Sequence, residues 1–176
     1  LTPDSFSDGG RFPDPAQAVA QAQRLVEAGA AIVDIGAEST RPGAAPVSED
    51  EELRRLLPVL EALRSLVVPV SVDTRRAGVM RAALAAGASM INDIEALTAP
   101  GALAVVAASD CAVCLMHKQG NPATMQRAPD YRDVVFEVKT FLAERIVAAQ
   151  RAGIARERIV ADVGFGTKMC ERADGS

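Results

Sequence analysis

The sequence has no tryptophan, one tyrosine, one histidine and three cysteines in 176 residues, and aromatic residues make up only 3%. Each scarcity excludes something. An odd, small number of cysteines gives no disulfide framework and suits a reducing cytosol, so a cytoplasmic location is expected. No stretch approaches the roughly 18 apolar residues of a membrane span, and no signal-peptide pattern opens the chain. There is no excess of positive charge: a net charge of −4 excludes a generally basic nucleic-acid binder, so any bound anion must be held by a local site. No G-x-G-x-x-G and no Walker pattern occurs. The apolar bulk that is present is almost all Ala, Val, Leu and Ile, which suits helices packed on strands, and the length suggests one domain over residues 1–176.

The apolar residues are organised as a repeating unit. Short runs recur as AAIVDIG from Ala30, VPVSVDT from Val68, SMINDI from Ser89, CAVCLMH from Cys111 and RIVADVG from Arg158. Each is too short for a helix and too continuously apolar for a half-exposed strand, which is how buried parallel strands read. Helical patterns lie between them. DPAQAVAQAQRLVEAGA has Pro15 in its first turn and Gly29 at its end, SEDEELRRLLPVLEALR starts at a capping Ser48 with an acidic first turn, and RAGVMRAALAAGA ends like the first. Pro58 is expected to kink the second helix. Strand–helix alternation predicts right-handed βαβ units and a parallel sheet, either an open doubly wound sheet or a (β/α)8 barrel. The strand ends decide for the α/β barrel. Asp34, Asp73-Thr74, Asn92-Asp93, Met116-His117 and Asp162 close five successive runs, and barrels gather functional residues at those ends. Cys111, Cys114 and His117 could be read as metal ligands, but side chains three apart on a strand diverge, and a zinc site is not expected.

The motifs TPDSFSDGG, VDIGAESTRPGA, SVDT, INDI and LMHKQGNPATMQ, in that order, resemble dihydropteroate synthase of the folate pathway over nearly the whole chain. The resemblance implies a (β/α)8 TIM barrel. It implies a transferase that joins 6-hydroxymethyl-7,8-dihydropterin pyrophosphate to p-aminobenzoate, gives dihydropteroate and pyrophosphate, and is blocked by sulfonamides. It also implies site residues. Asp162 would receive the N–H edge of the pterin, Asn92 its mixed donor and acceptor edge, and Met116 its flat face. Asp73 would be the catalytic carboxylate beside the bond that breaks, and Thr40 a pyrophosphate contact. Arg41 and Pro42, with Thr2, Pro3, Ser5, Phe6 and Ser7, would line the p-aminobenzoate side and two mobile loops. Magnesium is the implied cofactor, although the family's magnesium-binding asparagine would stand one position before Leu1, so no metal ligand is expected within the chain. Small-molecule substrates, no nucleic acid, no membrane, and a homodimer of the full-length protein complete the implied picture. A non-catalytic pterin-binding protein and a pterin-dependent methyltransferase are the alternatives, and the STRPG and TPDSFSDGG loops speak for the synthase.

The runs begin near residues 31, 69, 90, 112 and 159, or 32 residues per unit. Eight such units need about 250 residues, so the sequence is expected to cover the end of strand 1 through strand 6 of the barrel. DVGFGTK carries Val163 where the family has proline, and MCERADGS has no helical periodicity. With strands 7 and 8 absent, two open sheet edges and lost burial are expected to leave the isolated 176-residue chain poorly soluble or molten, and loss of the lysine, arginine and histidine implied on those strands to leave it without synthase activity.

Overall fold

All five apolar runs become strands in the computed structural model, which describes residues 14–37, 47–118 and 131–164. The elements are α1 (Pro15–Glu27), β1 (Val33–Gly36), α2 (Glu49–Ala62), β2 (Val70–Asp73), α3 (Ala77–Ala85), β3 (Met90–Asp93), α4 (Ala102–Ala107), β4 (Ala112–Met116), α5 (Val134–Arg151) and β5 (Ile159–Asp162). A short 3-10 turn, Arg156–Arg158, leads into β5. The strands pair in parallel in the order β1-β2-β3-β4-β5, each beside its sequence neighbour. An open doubly wound sheet would reverse direction at a switch point. Here no reversal occurs among the described residues, and the chain winds as part of a (β/α)8 barrel. The strand expected to end at Leu1 lies outside the described residues.

The helices start where local chemistry says they should. The Asp14 carboxylate accepts from Ala16 N and Pro15 takes the first helical position, where its missing N–H costs nothing. Ser48 Oγ accepts from Glu51 N at 3.2 Å, and Glu49, Asp50, Glu51 and Glu52 face the positive end of the α2 dipole. Pro58 does not end that helix, which continues to Ala62. Gly29 and Gly87 follow α1 and α3 with φ of 98° and 107°, the left-handed stop that a side chain would strain.

Alternation along the strands separates two chemistries. Val33, Ile35, Val70, Val72, Ile91, Val113 and Leu115 face the helices and form one buried cluster with Ala18, Ala22, Leu56, Val59, Leu60, Val79, Met80 and Ala83. Each such aliphatic side chain contributes about 1.5–3 kcal/mol when fully buried, so this layer is what fixes the strand register. The residues between them point to the other face of the sheet.

Candidate active site

The other face is polar at the end where the strands finish. Parallel register sets Gly36 beside Asp73, Asp73 beside Asn92, and Asn92 beside Cys114, with Asp34 beside Ser71 one step lower and Met116 beside Asp162 one step higher. Asp34, Asp73, Asn92, Cys114, Met116 and Asp162 therefore line one concave wall. Backbone bonds carry the ladder past the strand ends, from Thr74 N to Asn92 O at 3.1 Å and from His117 N to Asp162 O at 2.8 Å. Four of the residues singled out from the sequence, Asp73, Asn92, Met116 and Asp162, are thus brought together. The other eight, Thr2, Pro3, Ser5, Phe6, Ser7, Thr40, Arg41 and Pro42, lie outside the described residues.

Each side chain carries a distinct capability. Asp162 Oδ1 accepts from Gly164 N at 2.8 Å, and Gly164 adopts φ 78°, in the left-handed region that favours glycine. Asn92 Oδ1 is buried and has no hydrogen-bond partner among the described residues. A buried orphan acceptor costs about 1–3 kcal/mol, so it calls for a partner, and a ligand's donor would supply one. The Cys114 thiol is pushed up to about 11 by burial first and then by the carboxylates of Asp162, Asp34 and Asp73. It stays protonated and inert at neutral pH, and its shift reports that three carboxylates converge on this wall. Met116 is buried and stands apart from the helix-side cluster.

The thiols diverge as strand geometry requires. Cys111 Sγ accepts from Ser109 Oγ at 3.1 Å within the helix-side core, whereas Cys114 faces the carboxylates. Among the described residues no group of three or more His, Cys, Asp or Glu converges in a way that would hold a metal ion. His117 turns to the helix side, edge-on to Phe141 at 5.1 Å and beside Tyr131 at 6.0 Å.

Asp34, a strand-end residue, and Cys114, to which the sequence gives no site role, also belong to the wall. Period-two alternation back from Met116 is the signal that finds Cys114. Two further groups fasten the flanks of residues 38–46. Arg55, paired with Glu51, donates to Ala37 O, and Arg76, paired with the buried Glu52, donates to Val47 O.

Comparison with known proteins names this arrangement. Residues 1–174 match the family described as pterin binding enzyme. The chain is 51% identical over 167 residues to dihydropteroate synthase of Escherichia coli strain K12, covering 94% of this chain and 59% of that protein. The dihydropteroate synthase of Yersinia pestis, solved as a sulfonamide drug complex, is 50% identical with a TM-score of 0.88, over 94% of this chain and 61% of that one. That of Burkholderia cenocepacia, solved with 7,8-dihydropteroate, is 51% identical with a TM-score of 0.83, over 93% and 59%. The chain thus spans about three fifths of the length of the relatives it matches. Five parallel strands that end in a shared polar wall, and a family match from the first residue almost to the last, make this chain a member of the pterin-binding enzyme family.

Proposed function

We propose that the protein is a dihydropteroate synthase, condensing 6-hydroxymethyl-7,8-dihydropterin pyrophosphate with p-aminobenzoate. The observation that carries this reading is the wall formed by Asp73, Asn92, Met116 and Asp162 at neighbouring strand ends. A flat pterin has a guanidine-like edge of N–H donors and a mixed amide edge. The Asp162 carboxylate suits the first, and Oδ1 of Asn92, buried without a partner among the described residues, suits the second. Met116 supplies an adaptable apolar surface for the ring.

Catalysis then follows from charge. The pyrophosphate oxygen leaves with the bonding electron pair, and the exocyclic carbon becomes a methylene cation conjugated to the pterin. The amine of p-aminobenzoate attacks this carbon, the C–N bond forms, and the amine's proton passes to the departed pyrophosphate or to water. Asp73 acts as a fixed negative charge beside the cation, and such preorganised charge is worth most where water is excluded. Thr40 is proposed for the pyrophosphate and Arg41 and Pro42 for the p-aminobenzoate side. Magnesium would come with the pyrophosphate, whose oxygens are the hard ligands it prefers.

Two measurements on the full-length protein test the reading: calorimetry with a pterin analogue, and dihydropteroate formation from the two substrates. Binding and turnover are expected together. Binding without turnover would reduce the protein to a pterin carrier, and no binding would refute the assignment of the wall.

A further inference from the structure

Beside the wall, one carboxylate bridges three loops. Asp93 alternates with Asn92 and so faces the helices, fully buried, where Oδ1 accepts from Glu95 N and Oδ2 from Leu97 N, both at 2.8 Å. The turn it organises contains two consecutive non-glycine residues with positive φ, Ala96 at 51° and Leu97 at 58°. Such residues are uncommon and survive only where the surroundings over-determine them. Arg145 of α5 provides that constraint by donating from Nε to Ala96 O at 2.8 Å and from Nη2 to Leu97 O at 2.9 Å. The side chain this turn presents is Glu95, whose Oε1 accepts from Lys118 Nζ at 2.9 Å and from Arg75 Nη1 at 3.5 Å. The Lys118 side chain is only 8% exposed, unlike that of an ordinary solvated surface pair.

The positions of the partners give the bridge its meaning. Arg75 follows Asp73 by two residues, Lys118 follows Met116 by two, and Glu95 follows Asn92 by three. We propose that Glu95 is a positioning residue: its carboxylate ties together the loops after β2, β3 and β4, and so holds Asp73, Asn92 and Met116 in a single arrangement for the ligand. The second half of this statement rests on the pterin reading of the wall, and the first half does not. Without the negative charge, Arg75 and Lys118 would lose the carboxylate they share, and the loops after β2 and β4 would lose the tie between them.

The test uses Glu95→Gln, and Glu95→Gln combined with Lys118→Gln, in the full-length protein. Hydrogen exchange without ligand reads the loops at the amides of Thr74, Arg76 and His117, and calorimetry reads pterin-analogue affinity. The single substitution should speed exchange on both flanking loops and weaken the analogue about fivefold, the scale of one partly buried ion pair. Removing the Lys118 charge as well should return both readings to within about twofold of the parent, because the buried ammonium is then no longer left without its carboxylate. A residue that merely adds stability would shift the unfolding midpoint while leaving the exchange of the two flanking loops and the analogue affinity near the parent's. Exchange changes confined to residues 93–98, or a double variant no better than the single one, would overturn the proposal. If exchange behaves as expected while the parent binds no pterin analogue, the bridge stands and the reading of the wall falls.

Discussion

Replacing Asp162 by Asn separates folding from binding at a single atom. One carboxylate oxygen is already committed to Gly164 N at 2.8 Å. An asparagine can keep that bond with its amide oxygen, so the turn at Gly164 should survive and the thermal midpoint should move little. The cost appears on the other side, where the amide NH2 would replace the second oxygen and meet the donor edge of the pterin, donor against donor. Losing a charge-assisted, paired acceptor costs about 2–4 kcal/mol, or roughly 30- to 1,000-fold in affinity. Calorimetry with a pterin analogue on parent and variant, each checked for a cooperative unfolding transition, measures this directly. A variant that binds like the parent would show that Asp162 does not receive the pterin edge.

Three further outcomes are expected. Burial lowers the pKa of His117, with Glu137 partly opposing. Below the ordinary value of about 6.5 the unfolded chain therefore takes up a proton that the folded one resists. Stability is full above that pH and falls as pH drops through the window toward the lowered folded value. His117→Phe should flatten this slope, and equal slopes for parent and variant in urea titrations from pH 7 to 5 would contradict it. Arg145→Met strips both donors from the carbonyls of Ala96 and Leu97 and should cost about 2–4 kcal/mol in a denaturant titration, with Arg145→Lys intermediate. Pro58 is exposed within α2, where proline is about 3 kcal/mol worse than alanine. Pro58→Ala should raise stability by about 1–2 kcal/mol once the stiffer unfolded chain of the parent is allowed for, and an unchanged midpoint would mean that packing pays for the proline.

Strands, helix starts and the polar strand ends were legible because each is written locally. Ser48 with its acidic turn and the aspartates closing apolar runs are patterns of a few residues. That Asp73, Asn92, Met116 and Asp162 share one face follows from register once the strands are parallel. The turn after β3 was not legible, since nothing in Glu95-Ala96-Leu97 announces left-handed backbone. Its conformation is imposed by Arg145, 49 residues further along the chain from Ala96. Nor does α5 stand out: it opens on Val134 and Val135 and leaves Val135 and Phe136 exposed, so its apolar stripe is blurred. Asp133, which caps Phe136 N at 3.0 Å, and Glu137, which accepts from Asp133 N, are the local marks that reveal its start.

The alternation of the strands makes insertions and substitutions different kinds of change for this protein. A substitution at Asp34, Asp73, Asn92 or Asp162 alters the polar face and leaves Val33, Val72, Ile91 and their partners packed against the helices. Deleting one residue within β2 would do the opposite, turning Asp73 into the helix layer and Val72 to the polar face, since pairing has a period of two. New specificities should therefore arise by replacement at every second strand position, and changes in length should be confined to the connections between strands. The strands behave as a frame that must be kept in phase, while the chemistry is written on alternate letters.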